Sequence, residues 1–251
     1  MAKFKKIIVA GSLVVETVYP APNPRDSTGV RAGKKALSSQ AQQRMNLKYS
    51  YQKLELEIAA NFGVGDLYAT FTYDEEHLPT SRKEANNRVA LFMRRLRTVR
   101  KAAGQDLRYI YVTEHKHGDG RWHHHILINA TGDDYTQIRK LWGQGGIEFV
   151  KLRIDRDKNY ETLARYLCKE QRDKVGLRLW SGSRNLRKPE RECFRVPNDT
   201  PLTPPDNAMV LMDTGDVTTV YGHFRYIKYL TAGIITIPKP RAKRRRRRAQ
   251  S

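Results

Sequence analysis

The sequence predicts an α+β fold in which an antiparallel sheet carries helices packed on one face. Three observations predict it. From residue 67 onward, runs of alternating polarity interleave with runs of helical period, in the order strand-helix-strand-strand-helix-strand-helix. The pair Asp119-Gly120, set between two alternating runs, signals a hairpin and therefore antiparallel neighbours. The helix that starts near Ser81 carries a single apolar stripe of Val89, Phe92, Leu96 and Val99, which suits one sheet face.

Taken in order, Lys3 to Lys6 followed by the apolar run Ile7 to Val15 imitates the start of a secretory signal. The run is short, contains Gly11 and Ser12, and is followed by Pro20, Pro22 and Pro24 where a small-residue cleavage site would stand, so a strand or peripheral segment is expected. Residues 16 to 34, rich in Pro, Gly and charge, read as loop. A long helix is expected from Ala36 to about Asn61, with Tyr51, Leu54, Ile58 and Phe62 in one stripe and Gly63 and Gly65 ending it. Leu67 to Tyr73 alternates as a strand, and Ser81 caps a helix to about Ala102 whose Arg94, Arg95, Arg97 and Arg100 supply positive charge. The hairpin spans 107 to 130, a short helix lies near 134 to 142, and Gly146 to Ile154 alternates as another strand. A last helix runs from Asn159, its N-cap, to Glu170 with Leu163 and Leu167 on one stripe. Beyond Trp180, residues 181 to 207 read as irregular, and Val210 to Tyr229 as two more strands. The tail from Lys239 to Arg248 is a basic, disordered run.

Composition narrows the partners. The 251 residues carry 47 Lys and Arg against 26 Asp and Glu, a formal charge of +21, and a polyanion is the simplest reason for such an imbalance. Nucleic acid is favoured over a membrane because no long apolar span exists. The two cysteines, Cys168 and Cys193, make neither a disulfide framework nor a metal knuckle, so a reducing cytoplasm fits.

The densest chemical signal is Arg121-Trp-His-His-His-Ile-Leu-Ile-Asn129. On a strand, His123, His125 and Leu127 share one face, while Trp122, His124, Ile126 and Ile128 share the other. A tight turn centred on Asp119-Gly120 sets Glu114 directly across from His125, and a slip of the centre by one residue sets it across from His123. Either register collects a carboxylate and two imidazoles on one face, a three-ligand set suited to Mg2+ or Mn2+ as well as zinc. Further along, Tyr166 and Lys169 stand at i and i+3 on one side of the last helix. A phenol that titrates near about 10 needs a neighbouring cation and a polarised phosphate to act as a nucleophile on a phosphodiester. Tyr160, six residues earlier, points to a different side.

These residues together resemble the HUH endonucleases, in particular the rolling-circle replication initiators (Rep proteins) of phages and plasmids. The resemblance begins at Tyr68-Ala-Thr-Phe-Thr-Tyr-Asp-Glu-Glu-His-Leu-Pro79, continues through Leu91-Phe-Met-Arg-Arg-Leu-Arg97, Glu114 and Arg121 to His125, and reaches Tyr166-Leu-Cys-Lys169. It implies a ferredoxin-like, RRM-like core, with His123, His125 and Glu114 binding a divalent metal (Mg2+ or Mn2+), Tyr166 as nucleophile and Lys169 as helper. It also implies a 5′-phosphotyrosine link to single-stranded origin DNA, a 3′-hydroxyl primer, a host helicase and polymerase as further partners, and the cytoplasm of a bacterial host. The sequence departs from the family in carrying His124 between the paired histidines and Trp122 where phage members have proline, and in lacking a Cys-x-x-Cys element and a second helix tyrosine in register with Tyr166. The expected organisation is an N-terminal extension with the long helix (1–64), a catalytic domain (65–180), a C-terminal extension (181–238) and the basic tail (239–251).

Two other functions fit the same residues. One is a mobilisation relaxase or transposase of the same chemistry. The other is a non-catalytic, basic nucleic-acid-binding protein in which Phe71, Tyr109 and Tyr111 stack bases on an open sheet face. DNA contact is expected from Arg94, Arg95, Arg97 and Arg121, and from Arg244, Arg245 and Arg246 of the tail. Deleting residues 239–251 removes eight cations, namely Lys239, Arg241, Lys243 and Arg244 to Arg248. DNA affinity should fall and its salt dependence flatten, because fewer phosphate contacts release fewer counterions. Titrations over a range of salt concentrations test this, and an unchanged slope refutes it.

Overall fold

The computed structural model describes residues 3–20, 39–115, 120–153, 160–169, 178–197, 200–219 and 222–234. The expected helix start at Ala36, the Asp119 half of the turn, the strand end at Ile154, the Asn159 cap, Glu170 and the tail with Arg244, Arg245 and Arg246 lie outside the described residues.

The chain opens with a hairpin of β1 (Lys3–Ala10) and β2 (Leu13–Pro20), joined through Gly11 and Ser12. Gly11 has φ of +63°, and a Cβ there would lie 2.5 Å from the Ala59 carbonyl oxygen, so only glycine fits both the turn and its neighbour. That neighbour is α1 (Gln40–Asn61), whose first turn is capped by the Ser39 hydroxyl accepting from the Gln42 N–H. Then come β3 (Leu67–Thr72), α2 (Arg82–Ala102), β4 (Tyr109–His115), β5 (Trp122–Ile128), α3 (Asp134–Trp142), β6 (Ile147–Lys151) and α4 (Glu161–Leu167). Ser81 caps α2 as the sequence predicts, its hydroxyl accepting from the Glu84 N–H. The chain continues with β7 (Ser181–Gly182), β8 (Glu190–Val196), β9 (Met209–Asp213), β10 (Val217–Thr219) and β11 (Gly222–Leu230).

A central antiparallel sheet has the order β6-β3-β5-β4-β7. One face meets α2 and α3: Leu67, Ala69, Phe71, Ile126 and Ile128 pack against Val89, Phe92, Met93 and Leu96 of α2 and Ile138 and Trp142 of α3. The α+β class and the antiparallel sheet are those the pattern predicts. In addition, α1 and α4 cover part of the second face, where Ile110, Val112 and Leu127 meet Tyr51, Leu54 and Ile58 of α1 and Ala164 and Leu167 of α4. Phe71, expected as a base-stacking platform, is fully buried against Phe92 and Trp142 and has no face to offer.

A second sheet has the order β10-β11-β2-β1-β8, with β9 also pairing β11. It draws on both flanks of the sequence, and two expectations change with it. Residues 16–20, expected as loop, belong to β2; there Glu16 is bound by Lys5 Nζ at 2.7 Å and by the Tyr229 hydroxyl at 2.9 Å, so its charge marks an ion pair and not an exposed turn. Residues 190–196, expected as irregular, form β8 along the free side of β1. As a mostly exposed edge strand β8 keeps charged residues in alternation, so the apolar period that marks a strand is missing. Leu56 of α1 packs with Ile8, Ala10, Leu13 and Val15 of this sheet, while Tyr51, Leu54 and Ile58 face the central one. The long helix is a layer shared by two sheets.

Arg100 also differs from expectation. It continues the stripe of Val89, Met93 and Leu96 and is fully buried, donating to Asp134 Oδ1 at 2.6 Å and to the Asn129 carbonyl at 2.9 Å. Burial pulls the guanidinium down from its ordinary range while Asp134 works to raise it. It is a structural cation, whereas Arg94, Arg95 and Arg97 are exposed. Arg100→Ala strands a buried carboxylate and should cost about 3–5 kcal/mol of stability, against within about 0.5 kcal/mol for Arg94→Ala. Equal midpoints for the two variants in chemical denaturation would refute this division.

Candidate metal and nucleophile site

The site is built on β5, which lies between β3 and β4. Glu114 and Thr72 stand across from His123, and Val112 and Thr70 stand across from His125. Of the two registers open to the sequence, this is the one that opposes Glu114 to His123. His125 is then a diagonal neighbour, still within reach of a carboxylate. The Glu114 Oε2 lies 3.5 Å from His123 Nε2 and 3.0 Å from His125 Nε2. One ligand atom from each of the three residues falls within 4.8 Å of the others, as binding a single ion requires.

The surroundings suit a cation. The far nitrogen of His125, Nδ1, is 2.8 Å from the Tyr68 hydroxyl and 3.3 Å from Thr70 Oγ1, both on the same face of β3. With Nδ1–H donated to one of these oxygens, Nε2 keeps its lone pair toward Glu114, the tautomer a metal ligand needs. Burial, helped by the nearby His123, pushes His125 down to about 4, so it is a neutral imidazole at pH 7. Burial acts to raise Glu114, but the Lys169 ammonium and the two histidines outweigh it and hold the carboxyl below its usual range. Two neutral nitrogens and one carboxylate, with the inner nitrogen anchored, fit Mg2+, Mn2+ or Zn2+.

Beside this set, α4 brings two further groups. Tyr166 is 42 % exposed, and its hydroxyl lies 3.5 Å from His125 Nε2. Lys169, just past the helix end, places Nζ 2.9 Å from Glu114 Oε1 and 4.0 Å from the centre of the Tyr166 ring. Burial acts to lower the Lys169 ammonium, but Glu114 and Tyr166 raise it overall, so it stays a cation at neutral pH. Tyr160 is buried in the core, with its hydroxyl donating to the Phe62 carbonyl at 3.4 Å. Only one of the two tyrosines of this segment faces the triad.

The middle histidine has the opposite environment. His124 is fully buried on the α2 face, with Nε2 2.8 Å from the Tyr73 hydroxyl and Nδ1 3.0 Å from Thr113 Oγ1. Thr113 in turn donates to Asn86 Oδ1 at 2.6 Å, so its oxygen accepts from Nδ1–H and Nε2 accepts from Tyr73. Burial, with the neighbouring histidines, pushes His124 down to about 3. Sequence reasoning did not single out Tyr68, Thr70, Tyr73, Thr113 or Asn86. The parity of Tyr68 and Thr70 on β3 is the signal that finds the pair touching His125.

The arginines are distributed differently. Arg94, Arg95 and Arg97 lie on the solvent side of α2, across the sheet from the triad, with Arg97 over the Tyr109 ring at 5.7 Å. Arg121 is closer, two residues before His123. It donates to Glu75 Oε1 at 2.6 Å and to the Tyr73 carbonyl at 3.0 Å, pinning the turn after β3.

Three adjacent, identical residues therefore predict two outcomes. His123→Ala and His125→Ala should each weaken manganese binding by more than about a hundredfold, the upper end of what losing an outer-shell partner alone does. His124→Ala should leave that affinity intact and lower stability by at least about 2 kcal/mol, since Tyr73 and Thr113 lose a buried partner and a cavity opens. Calorimetric titration and denaturation of the three proteins decide it: equal metal loss in His124→Ala and His123→Ala would overturn the site.

Residues 66–171 match the model of a family described as replication-associated protein ORF2, and the matched stretch contains Glu114, His123, His125, Tyr166 and Lys169. No curated protein and no solved structure matches the chain. Among the described residues no helix is long and apolar enough to cross a membrane. Over the matched stretch the chain is similar to replication-associated proteins, which supports a role in DNA replication.

Proposed function

We propose that the protein is a metal-dependent endonuclease that nicks single-stranded DNA at a rolling-circle origin, with Tyr166 as the nucleophile. The observation that carries this reading is the convergence of α4 on the triad: Lys169 reaches Glu114 at 2.9 Å and Tyr166 reaches His125 at 3.5 Å. Glu114, His123 and His125 would hold Mg2+ or Mn2+, which polarises a bound phosphate and stabilises charge that builds on it. Tyr166 is exposed enough to meet a strand lying over the site. Its oxygen bonds to phosphorus while the bond to the 3′ oxygen breaks, leaving a 5′-phosphotyrosine and a 3′-hydroxyl primer. The phenol gives up its proton and the leaving oxygen takes one. As a standing cation, Lys169 is no base; it favours the phenolate and the developing phosphate charge by proximity. Because the covalent link conserves the phosphodiester bond, attack by another hydroxyl reseals a strand.

The non-catalytic reading is less well supported, because Phe71 is buried and the histidine face is occupied by ligand-grade groups and a tyrosine. The 5′ polarity and the origin specificity rest on the resemblance to the rolling-circle initiators. The test incubates the protein with manganese and single-stranded fragments of the DNA molecule that encodes it, then looks for an adduct after denaturation. Wild-type protein and Tyr160→Phe should form it, Tyr166→Phe and a chelator-treated sample should not. An adduct with Tyr166→Phe would sink the assignment.

A further inference from the structure

The nucleophile helix is short, and most of what fixes it comes from elsewhere in the chain. α4 is seven residues long, too short to hold itself. Its inner side is anchored by Ala164 and Leu167 in the core shared with α1. In its first turn, Glu161 accepts a hydrogen bond from Lys228 Nζ of β11. The same ammonium lies 3.1 Å from Glu55 Oε1 of α1. Lys228 and Glu55 are both almost fully buried, with side-chain exposures of 3 % and 4 %. One turn further, Arg165 pairs with Glu161 at 2.5 Å and lies over the Tyr51 ring of α1 at 4.1 Å. Five residues separate Glu161 from Tyr166, which sets them on different sides of the helix. One side is tethered while the other presents the phenol to His125.

Resting on the nucleophile reading above, we propose that Lys228 is a positioning residue for Tyr166: one buried ammonium, shared between α1 and the first turn of α4, lets the second sheet set where the phenol stands. A buried ion cluster contributes little net stability compared with an apolar replacement, yet it is satisfied in one arrangement only. Lys228 on β11, Glu55 on α1 and Glu161 on α4 must meet for the charges to be matched, and that meeting fixes the helix relative to the triad on the central sheet. Lys228 does not reach Tyr166 or the ligand set; its effect passes through Glu161 and the helix.

The experiment measures single-turnover adduct formation with manganese and the same single-stranded fragments, over a range of DNA concentration. In the double variant Lys228→Met with Glu55→Leu, the buried charges leave together and Glu161 keeps Arg165. In Glu161→Gln, the Lys228–Glu55 pair survives and only the charged link to α4 is lost. Both should keep the manganese affinity and the half-saturating DNA concentration of wild type within about twofold, while the rate at saturation falls about 10- to 100-fold, as a small misplacement of a reacting group does. A purely structural role would move the melting temperature and leave the saturated rate of the folded protein unchanged. Wild-type rates at saturation in both variants, beside an inactive Tyr166→Phe, overturn the positioning role alone. Adduct formation by Tyr166→Phe overturns the nucleophile assignment, and the positioning role with it. If the double variant fails to fold, Glu161→Gln alone decides.

Discussion

The antiparallel register of β5 between β3 and β4 is the constraint on which the rest depends. Side chains alternate along a strand, so a slip of one residue would turn His123 and His125 into the α2 core and bring His124 out in their place. Several contacts forbid that slip. Ile126 and Ile128 fill one core and Leu127 the other, so both faces of the strand are committed to packing. His124 adds a directional lock, because its two ring nitrogens bind Tyr73, which follows β3, and Thr113 of β4. The residue that departs from the apolar pattern of the HUH motif thus joins three neighbouring segments through polar bonds, directly beneath the ligand face.

A chain with formal charge +21 must also decide where its charges go. Inside, they occur as matched sets that join elements distant in sequence. Arg100 and Asp134 tie α2 to α3. Lys5 and Tyr229 both reach Glu16, linking β1, β2 and β11. Such sets contribute little net stability but cost a great deal when one member is missing, so they favour one arrangement over its neighbours. Outside, Arg94, Arg95 and Arg97 stand on α2 facing solvent. Helical position, more than residue type, separates the two uses: Arg97 and Arg100 are three residues apart, and only the second continues the apolar stripe.

Much of the central sheet was legible because its elements are local. The stripe of Tyr51, Leu54 and Ile58, the Ser81 cap and the alternation of β3, β4 and β5 are each readable within one window. The second sheet was not, since β1 pairs with β8 and β2 with β11 across most of the chain length, and no window holds both partners. Edge strands such as β8 also lack the half-buried pattern that signals a strand. At the site, parity was enough to divide His124 from its neighbours, while the register remained open because it depends on where the turn is centred. Tyr68 and Thr70 went unread for a different reason. A hydroxyl on a strand has no periodic signature, and its role shows only when its neighbour across the sheet is known.

The same logic explains why α1 is amphipathic in two directions. A helix against one sheet needs one apolar stripe, but α1 offers Leu54 and Ile58 to the central sheet and Leu56 to the second. Between those stripes Glu55 and Glu57 are buried, and each has a lysine from outside the helix, Lys228 for the first and Lys188 for the second. A charge buried in this way cannot be satisfied within its own helix; it asks for a cation delivered by another element. The long helix therefore carries, in its own sequence, a requirement for the segments that flank the central sheet. Metal ligands drawn from two adjacent strands need only that sheet, whereas Tyr166, on a helix two turns long, takes its place from everything packed around α1.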